Sequence, residues 1–204
     1  MMREIDIETW NRRDHYRFYS AFEESFFGVN VRVDVTRIMK NEHSTFLQYL
    51  HYAAQAVNKV ENFRLRIQGE KVVLFDEINV SCTIKREDHT FDFSYIKYSE
   101  DFDDFRASAQ KEIDRIRGSE GLDPGVAGAD VVHYSILPWL DFSSMSHARS
   151  YSFQDSCPKI SFGKISEEDG RFSMPVSIHV HHGLVDGYHV GKFVEVFQGL
   201  LNGV

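Results

Sequence analysis

The stretch "SMPVSIHVHHGLVDGYHVGKFVEVFQGLLN", residues 173–202, changes its period halfway along. Its first ten residues alternate. Val176, Ile178, Val180 and His182 fall on one face of an extended chain, and Ser177, His179 and His181 on the other. Beyond Gly183 and the Asp186-Gly187 pair, Val190, Phe193, Val194, Phe197, Leu200 and Leu201 recur at helical spacing. The stretch therefore predicts a strand, a tight turn and a helix start, with Asp186 suited to cap the helix. His182 ends an apolar face, an odd place for an imidazole without a chemical role. A neutral imidazole with a pKa near 6.5 can take a proton from a hydroxyl or thiol near neutral pH.

Two other readings compete for the same histidines. His179 and His181 lie two apart on one face, as in many imidazole metal pairs. A metal site also needs a third ligand and partners that hold the rings, and the remaining histidines are scattered singly. No metal is expected. The plainer reading makes His179 and His181 polar residues of a partly exposed strand face and Asp186 a helix cap.

The same two periods organise the rest of the chain. "ETWNRRDHYRFYSAF" (8–22) predicts an early helix, "VNVRVDV" (29–35) a strand, and "STFLQYLHYAAQAVNKV" (44–60) a helix after a Ser/Thr start. "FRLRIQGEKVVLF" (63–75) predicts a hairpin turning at Gln68-Gly69, and "INVSCTIKRE" and "TFDFSYIKY" two further strands. "EDFDDFRASAQKEIDRIRG" (100–118) is a charged amphipathic helix ending at Gly118, followed by a long loop over 118–130. "ADVVHYSILPW" and "KISFGKISEEDGRFSMPVSIHVHH" supply the last strands. Strands come in neighbouring pairs with helices between the groups. The expected fold is α/β, an α+β two-layer sandwich with a mixed, largely antiparallel sheet covered by helices. With no repeat or linker, residues 1–204 are expected to form a single domain.

Composition narrows the function classes. A net charge of −8 with no block of Lys or Arg speaks against a nucleic-acid surface. Two cysteines, Cys82 and Cys157, are too few for a disulfide framework. The start "MMREIDIETW" is charged and no apolar run approaches membrane-spanning length, so a soluble, cytoplasmic protein is expected. Seventeen Phe and nine Tyr provide bulk for a core, a pocket or an interface.

"HVHHGLVDGYHV" resembles the HHxxxDG active-site signature of the trimeric, type A chloramphenicol acetyltransferases. The likeness continues over almost the whole chain, in the family's order. "WNRRDHYRFY" (10–19), "AAQAVNKVENFRLRI" (53–67), "SEDFDDFR" (99–106), "SILPW" (135–139) and "SFGKI" (161–165) each resemble a segment of that family. Dihydrolipoamide acyltransferases share the signature but normally follow lipoyl domains and linkers, and condensation domains are about twice as long.

The resemblance implies a CoA-dependent acyltransferase fold and direct transfer of acetyl from acetyl-CoA to a hydroxyl of chloramphenicol or a similar small molecule. It makes His182 the general base and Ser135 the donor to the tetrahedral oxyanion, with Asp186 and Arg12 as a supporting buried ion pair. It also implies homotrimers with active sites between subunits. Its acceptor pocket falls on Phe18, Tyr19, Glu23, Ser25, Met145, His147 and Ser161. Phe18 and Tyr19 match an aromatic floor, and Ser161 keeps the hydroxyl of the family's threonine. Glu23 and His147 stand where leucines are usual, Met145 replaces a phenylalanine, and Ser25 replaces a small apolar residue or cysteine. His179 and Gly183 also depart from the signature, where Gln and Ala or Ser are usual. This pocket is the more polar one, so acyl transfer to a more polar acceptor is an alternative. A non-catalytic small-molecule binder on the same scaffold is a second, but it would have no use for His182, Ser135, Asp186 and Arg12 together.

Overall fold

The computed structural model describes residues 1–123, 128–149 and 154–204. In chain order the elements are β1 (Met2–Glu4), α1 (Arg13–Ser20), β2 (Phe26–Asp34), α2 (Thr45–Lys59), β3 (Leu65–Gln68), β4 (Lys71–Phe75), β5 (Asn79–Lys85) and β6 (Phe91–Phe93). There follow α3 (Phe102–Arg117), β7 (Val131–Ile136), β8 (Lys159–Phe162), β9 (Ser166–Glu168), β10 (Arg171–His181) and α4 (Gly187–Asn202). The main sheet runs β2-β10-β8-β7-β5-β6, with β9 beside the start of β10. The pairs β5/β7 and β7/β8 are parallel and the others antiparallel, so the sheet is mixed, as the pattern predicts.

The two faces of this sheet differ in kind. Val80 and Cys82 of β5, Val132 and Tyr134 of β7, Ile160 and Phe162 of β8, and Val176 and Ile178 of β10 are all buried on one face. Helices α2 and α4 cover it: the Phe162 ring meets Tyr49 at 4.8 Å and Phe197 at 6.0 Å between centroids. Burying an aliphatic or aromatic side chain of this size contributes about 1.5–3 kcal/mol, so the layered contact is the main support of the fold. The other face is polar. Ser135, Ser161, Ser177 and Asn30 fall in one row across β7, β8, β10 and β2. Ser81, His133, Lys159, His179 and Gly28 fall in the next row.

Four local expectations change. The first helix starts at Arg13, because Trp10 to Arg12 form a turn that hydrogen-bonds back to Ile7 and frees Arg12 for a distant partner. The β3/β4 hairpin turns at Gly69-Glu70 rather than Gln68-Gly69: Gln68 pairs with Lys71, and Gly69 takes φ +61°, a conformation that favours glycine. The charged N-terminus holds a strand, β1, which joins this hairpin in a separate sheet ordered β1-β4-β3. His181 is buried, not partly exposed, since its ring packs edge-on against Phe26 and accepts from the N–H of Gly183. Of the expected loop over 118–130, residues 124–127 lie outside the described residues.

Arg66 ties the small sheet to the large one. Its guanidinium is wholly buried and donates to the carbonyls of Phe63, Ala129 and Val131. Among the described residues no helix is long and apolar enough to cross a membrane.

Candidate active site

The strand-turn-helix read from the sequence is built as β10, a turn over 182–186, and α4. Leu184 and Val185 return their N–H groups to the carbonyl of His181, each at 3.0 Å, which closes the turn. The Asp186 carboxylate accepts from the N–H of Tyr188 and caps α4, and the His189 ring accepts from the N–H of Asp186. Arg12 reaches this turn from 174 residues away in sequence. Its Nη1 lies 2.5 Å from Asp186 Oδ2 and its Nη2 donates to the carbonyl of His182 at 3.3 Å. One guanidinium thus holds both ends of the turn.

Burial pushes the Asp186 carboxyl up, but the hydrogen bond from Arg12 and the positive charge beside it outweigh this and hold it below its usual value. The carboxylate is ionised at neutral pH and belongs to the turn's structure.

His182 sits just beyond β10, where its N–H donates to the carbonyl of Ser25 at 2.8 Å. Its ring stacks on Tyr19 at 3.8 Å and 5° between planes, and meets the tilted ring of Phe27 at 4.4 Å. Its Nδ1 is sealed from solvent and has no partner among the described residues. Ser25 spends its own hydroxyl on the carbonyl of Tyr19, at 2.8 Å, and so fixes the end of α1 against the turn. Phe18 is 60% exposed beside them, and Glu23 is exposed.

Ser135 stands elsewhere. It lies on β7, two strands from β10 and in the same row as Ser177. Two strand spacings of about 4.8 Å, and five residues of about 3.3 Å from Ser177 to His182, put roughly 19 Å between the Cα atoms of Ser135 and His182. Ser135 lines a cavity of about 830 Å³ on the polar face, and His182 does not reach it. His147 lines the same cavity and its Nε2 lies 3.3 Å from the Ser161 hydroxyl, while its ring meets that of His179 edge-on at 4.8 Å. Met145 is half-buried two residues before His147. The nominated residues thus form two groups: Arg12, Phe18, Tyr19, Glu23, Ser25, His182 and Asp186 at the turn, and Ser135 and His147 at the cavity with Ser161 behind His147; Met145 does not line the cavity.

The cavity also holds residues the sequence did not single out. His133 precedes Ser135 on the same face, and burial, aided by the charge of Lys159, lowers its pKa to about 4. Burial, then His179 and Lys159, lower that of His147 to about 4. Lys159 is paired with Asp155. Their signal was the polar half of the alternation in "VVHYSI" and "KISF", which by itself reads as a solvent-facing strand. Gly28 makes room for this cluster, since a Cβ there would run into the ring of His179.

The chloramphenicol acetyltransferase family profile matches residues 1–198. The chain belongs to this family. It is 29% identical over 204 residues to chloramphenicol acetyltransferase 3 of Escherichia coli, covering 97% of this chain and 96% of that one. It is 28% identical over 206 residues to the chloramphenicol acetyltransferase of Clostridium perfringens, covering 99% of each. A solved chloramphenicol acetyltransferase superposes with a TM-score of 0.89 at 29% identity, over 98% of this chain and 100% of that one. A probable dihydrolipoamide acetyltransferase from Listeria monocytogenes 4b F2365 gives a TM-score of 0.67 at 16% identity, over 98% of this chain and 94% of that one, which is a likeness of fold. As a family member the chain is an acetyltransferase, and the fold expected from the sequence, including its CoA-dependent acyltransferase class, is the one observed.

Proposed function

We propose that the chain transfers acetyl from acetyl-CoA directly to a hydroxyl of chloramphenicol or a similar small molecule, with His182 as general base and Ser135 as oxyanion donor. The observation that carries this is the Arg12–Asp186 pair closing the turn on which His182 stacks against Tyr19. That arrangement holds an imidazole in one rotamer, and the only nitrogen of the ring left for an acceptor is Nε2, because Nδ1 is sealed.

Nε2 takes the proton of the acceptor hydroxyl as its oxygen attacks the thioester carbonyl. The carbonyl oxygen becomes an oxyanion, to which the Ser135 hydroxyl donates. Collapse breaks the carbon–sulfur bond, and the leaving CoA thiolate takes the proton from His182. No metal and no acyl-enzyme enters these steps; their demand is that both substrates meet the base together.

His182 and Ser135 of one chain are too far apart to serve one acyl carbon. Each active site therefore joins His182 of one copy to the Ser135 cavity of the next, in a closed ring of three copies. The two halves carry exposed apolar side chains suited to such contact: Phe18 and Phe22 beside His182, and Trp139 and Leu140 a few residues beyond Ser135. The working unit is a cytoplasmic homotrimer of single-domain chains.

The test is thiol release from acetyl-CoA by the purified protein with and without chloramphenicol. Release that depends on the acceptor and vanishes in His182→Ala, with melting temperature and trimer mass retained, is the expected result. Wild-type release by His182→Ala would end this reading.

A further inference from the structure

We infer that the cavity beside Ser135 is shaped for an uncharged, polyhydroxylated acceptor, which it grips through His147, Ser81 and Thr83. This inference rests on the proposed function above and specifies its acceptor.

The argument begins with charge. The charged side chains that line the cavity among the described residues, Lys159 and Asp155, are bound to each other. Its two imidazoles, His133 and His147, are held at about 4 by burial and are neutral at pH 7. The described lining of this cavity therefore offers neither a free cation for an anionic ligand nor a free carboxylate for a cationic one; the carboxylate the next copy would add, Glu23, lies on its His182 side of the site.

What it does offer is hydrogen bonding in both senses. Ser81 and Thr83 of β5 and Ser135 of β7 bring hydroxyl-bearing residues to the cavity lining, and His147 joins it from the segment before β8. A hydroxyl and a neutral imidazole each donate and accept. The ligand group that answers both is another hydroxyl. A nitro group or a halogen only accepts, and it would leave the acceptors of this lining unused.

Ser81 sharpens the point. It is 2% exposed, lines the cavity, and its hydroxyl has no partner among the described residues. A buried hydroxyl left unpaired is a standing penalty, which a ligand hydroxyl arriving there would relieve. Phe93 and Ile67 supply apolar lining in the same cavity, against which the C–H side of a polyol ring can lie. The volume, about 830 Å³, is that of a site for a small molecule.

The test compares kcat/KM for chloramphenicol with kcat/KM for three uncharged polyols: maltose, myo-inositol and methyl glucopyranoside. Thiol release from acetyl-CoA is the readout, in wild type, His147→Leu and Ser81→Ala. Melting temperature and trimer mass are checked in each variant, and Ser81→Ala stands in if His147→Leu does not fold. We expect wild type to prefer at least one polyol, and each variant to shift the ratio toward chloramphenicol about tenfold, the scale of one lost hydrogen bond. A wild type that acetylates chloramphenicol alone, or a ratio that neither variant moves, overturns the inference while leaving the proposed function in place. Thiol release that is independent of His182, or failure to bind acetyl-CoA, overturns the proposed function itself.

Discussion

Asp186→Asn isolates what the ion pair with Arg12 contributes. Asparagine keeps the helix cap, because its side-chain oxygen can still accept from the N–H of Tyr188, so the change removes charge rather than the cap. It leaves the Arg12 guanidinium, in a residue only 9% exposed, without its carboxylate. Losing one partner of a fully buried pair costs roughly 3–5 kcal/mol, and an exposed pair is worth about 0–1. Here the Asp186 side chain is 29% exposed, so water reaches the guanidinium's partner site, although the amide NH2 that replaces Oδ2 no longer accepts from Arg12. The expected loss is therefore about 2 kcal/mol, between those limits. For a chain of this size that lowers Tm by about 4–8 °C.

The pH dependence gives a second handle. Asp186 has a native pKa below its unfolded value, so its contribution is fully present above the unfolded value, about 3.9, and is lost as pH falls through the lower native one. Thermal unfolding followed by circular dichroism should show the gap between wild type and Asp186→Asn open at pH 7 and closing below about pH 4. Turnover should fall as well, because the His182 carbonyl is held by the same guanidinium. An unchanged Tm at pH 7, or a gap that stays open in acid, would refute the reasoning.

Ser135→Ala should lower kcat by about 10²–10³ with little change in acetyl-CoA binding, as measured by steady-state kinetics and calorimetry; a rate close to that of wild type removes Ser135 from the oxyanion role. Gly28→Ala drives a methyl into the His179 ring and should cost about 1–3 kcal/mol in chemical denaturation, and an unaltered midpoint would show that the ring has room to turn away. His133, His147 and His181 are each held at about 4 by burial, well below the ordinary histidine value. Between those values the unfolded chain binds protons that the native one does not, so stability should decline as pH falls from about 6.5 toward 4. His133→Gln should flatten that slope, and a slope that persists unchanged would assign the decline to other groups.

The parts of this protein legible in its sequence are those decided within a few residues. The strand-turn-helix of residues 173–202 follows from a change of period, the cap at Asp186 from residue type, and the helix over 44–60 from its spacing and Ser44 start. The hairpin slipped by one residue because turn and strand ends compete locally. The N-terminal strand was hidden because three exposed residues carry no alternation, and only pairing with β4 makes them a strand.

The roles of individual polar residues are a different matter. By its own pattern Arg12 in "RRD" has nothing to mark a distant partner; the family resemblance pairs it with Asp186, and the fold brings the two together. Ser135 is one serine on a strand until the register sets it in a polar row. Period, caps and turns are local because backbone dihedrals and side-chain faces repeat over two to four residues. That ordering was determined by the sequence alone. Which face of the sheet the helices cover, and that the other face holds a polar cavity, depends on strand order across the sheet. So does the separation of His182 from Ser135. These were decided by the tertiary structure, because hydrogen-bonded register joins residues tens of positions apart that no local pattern relates.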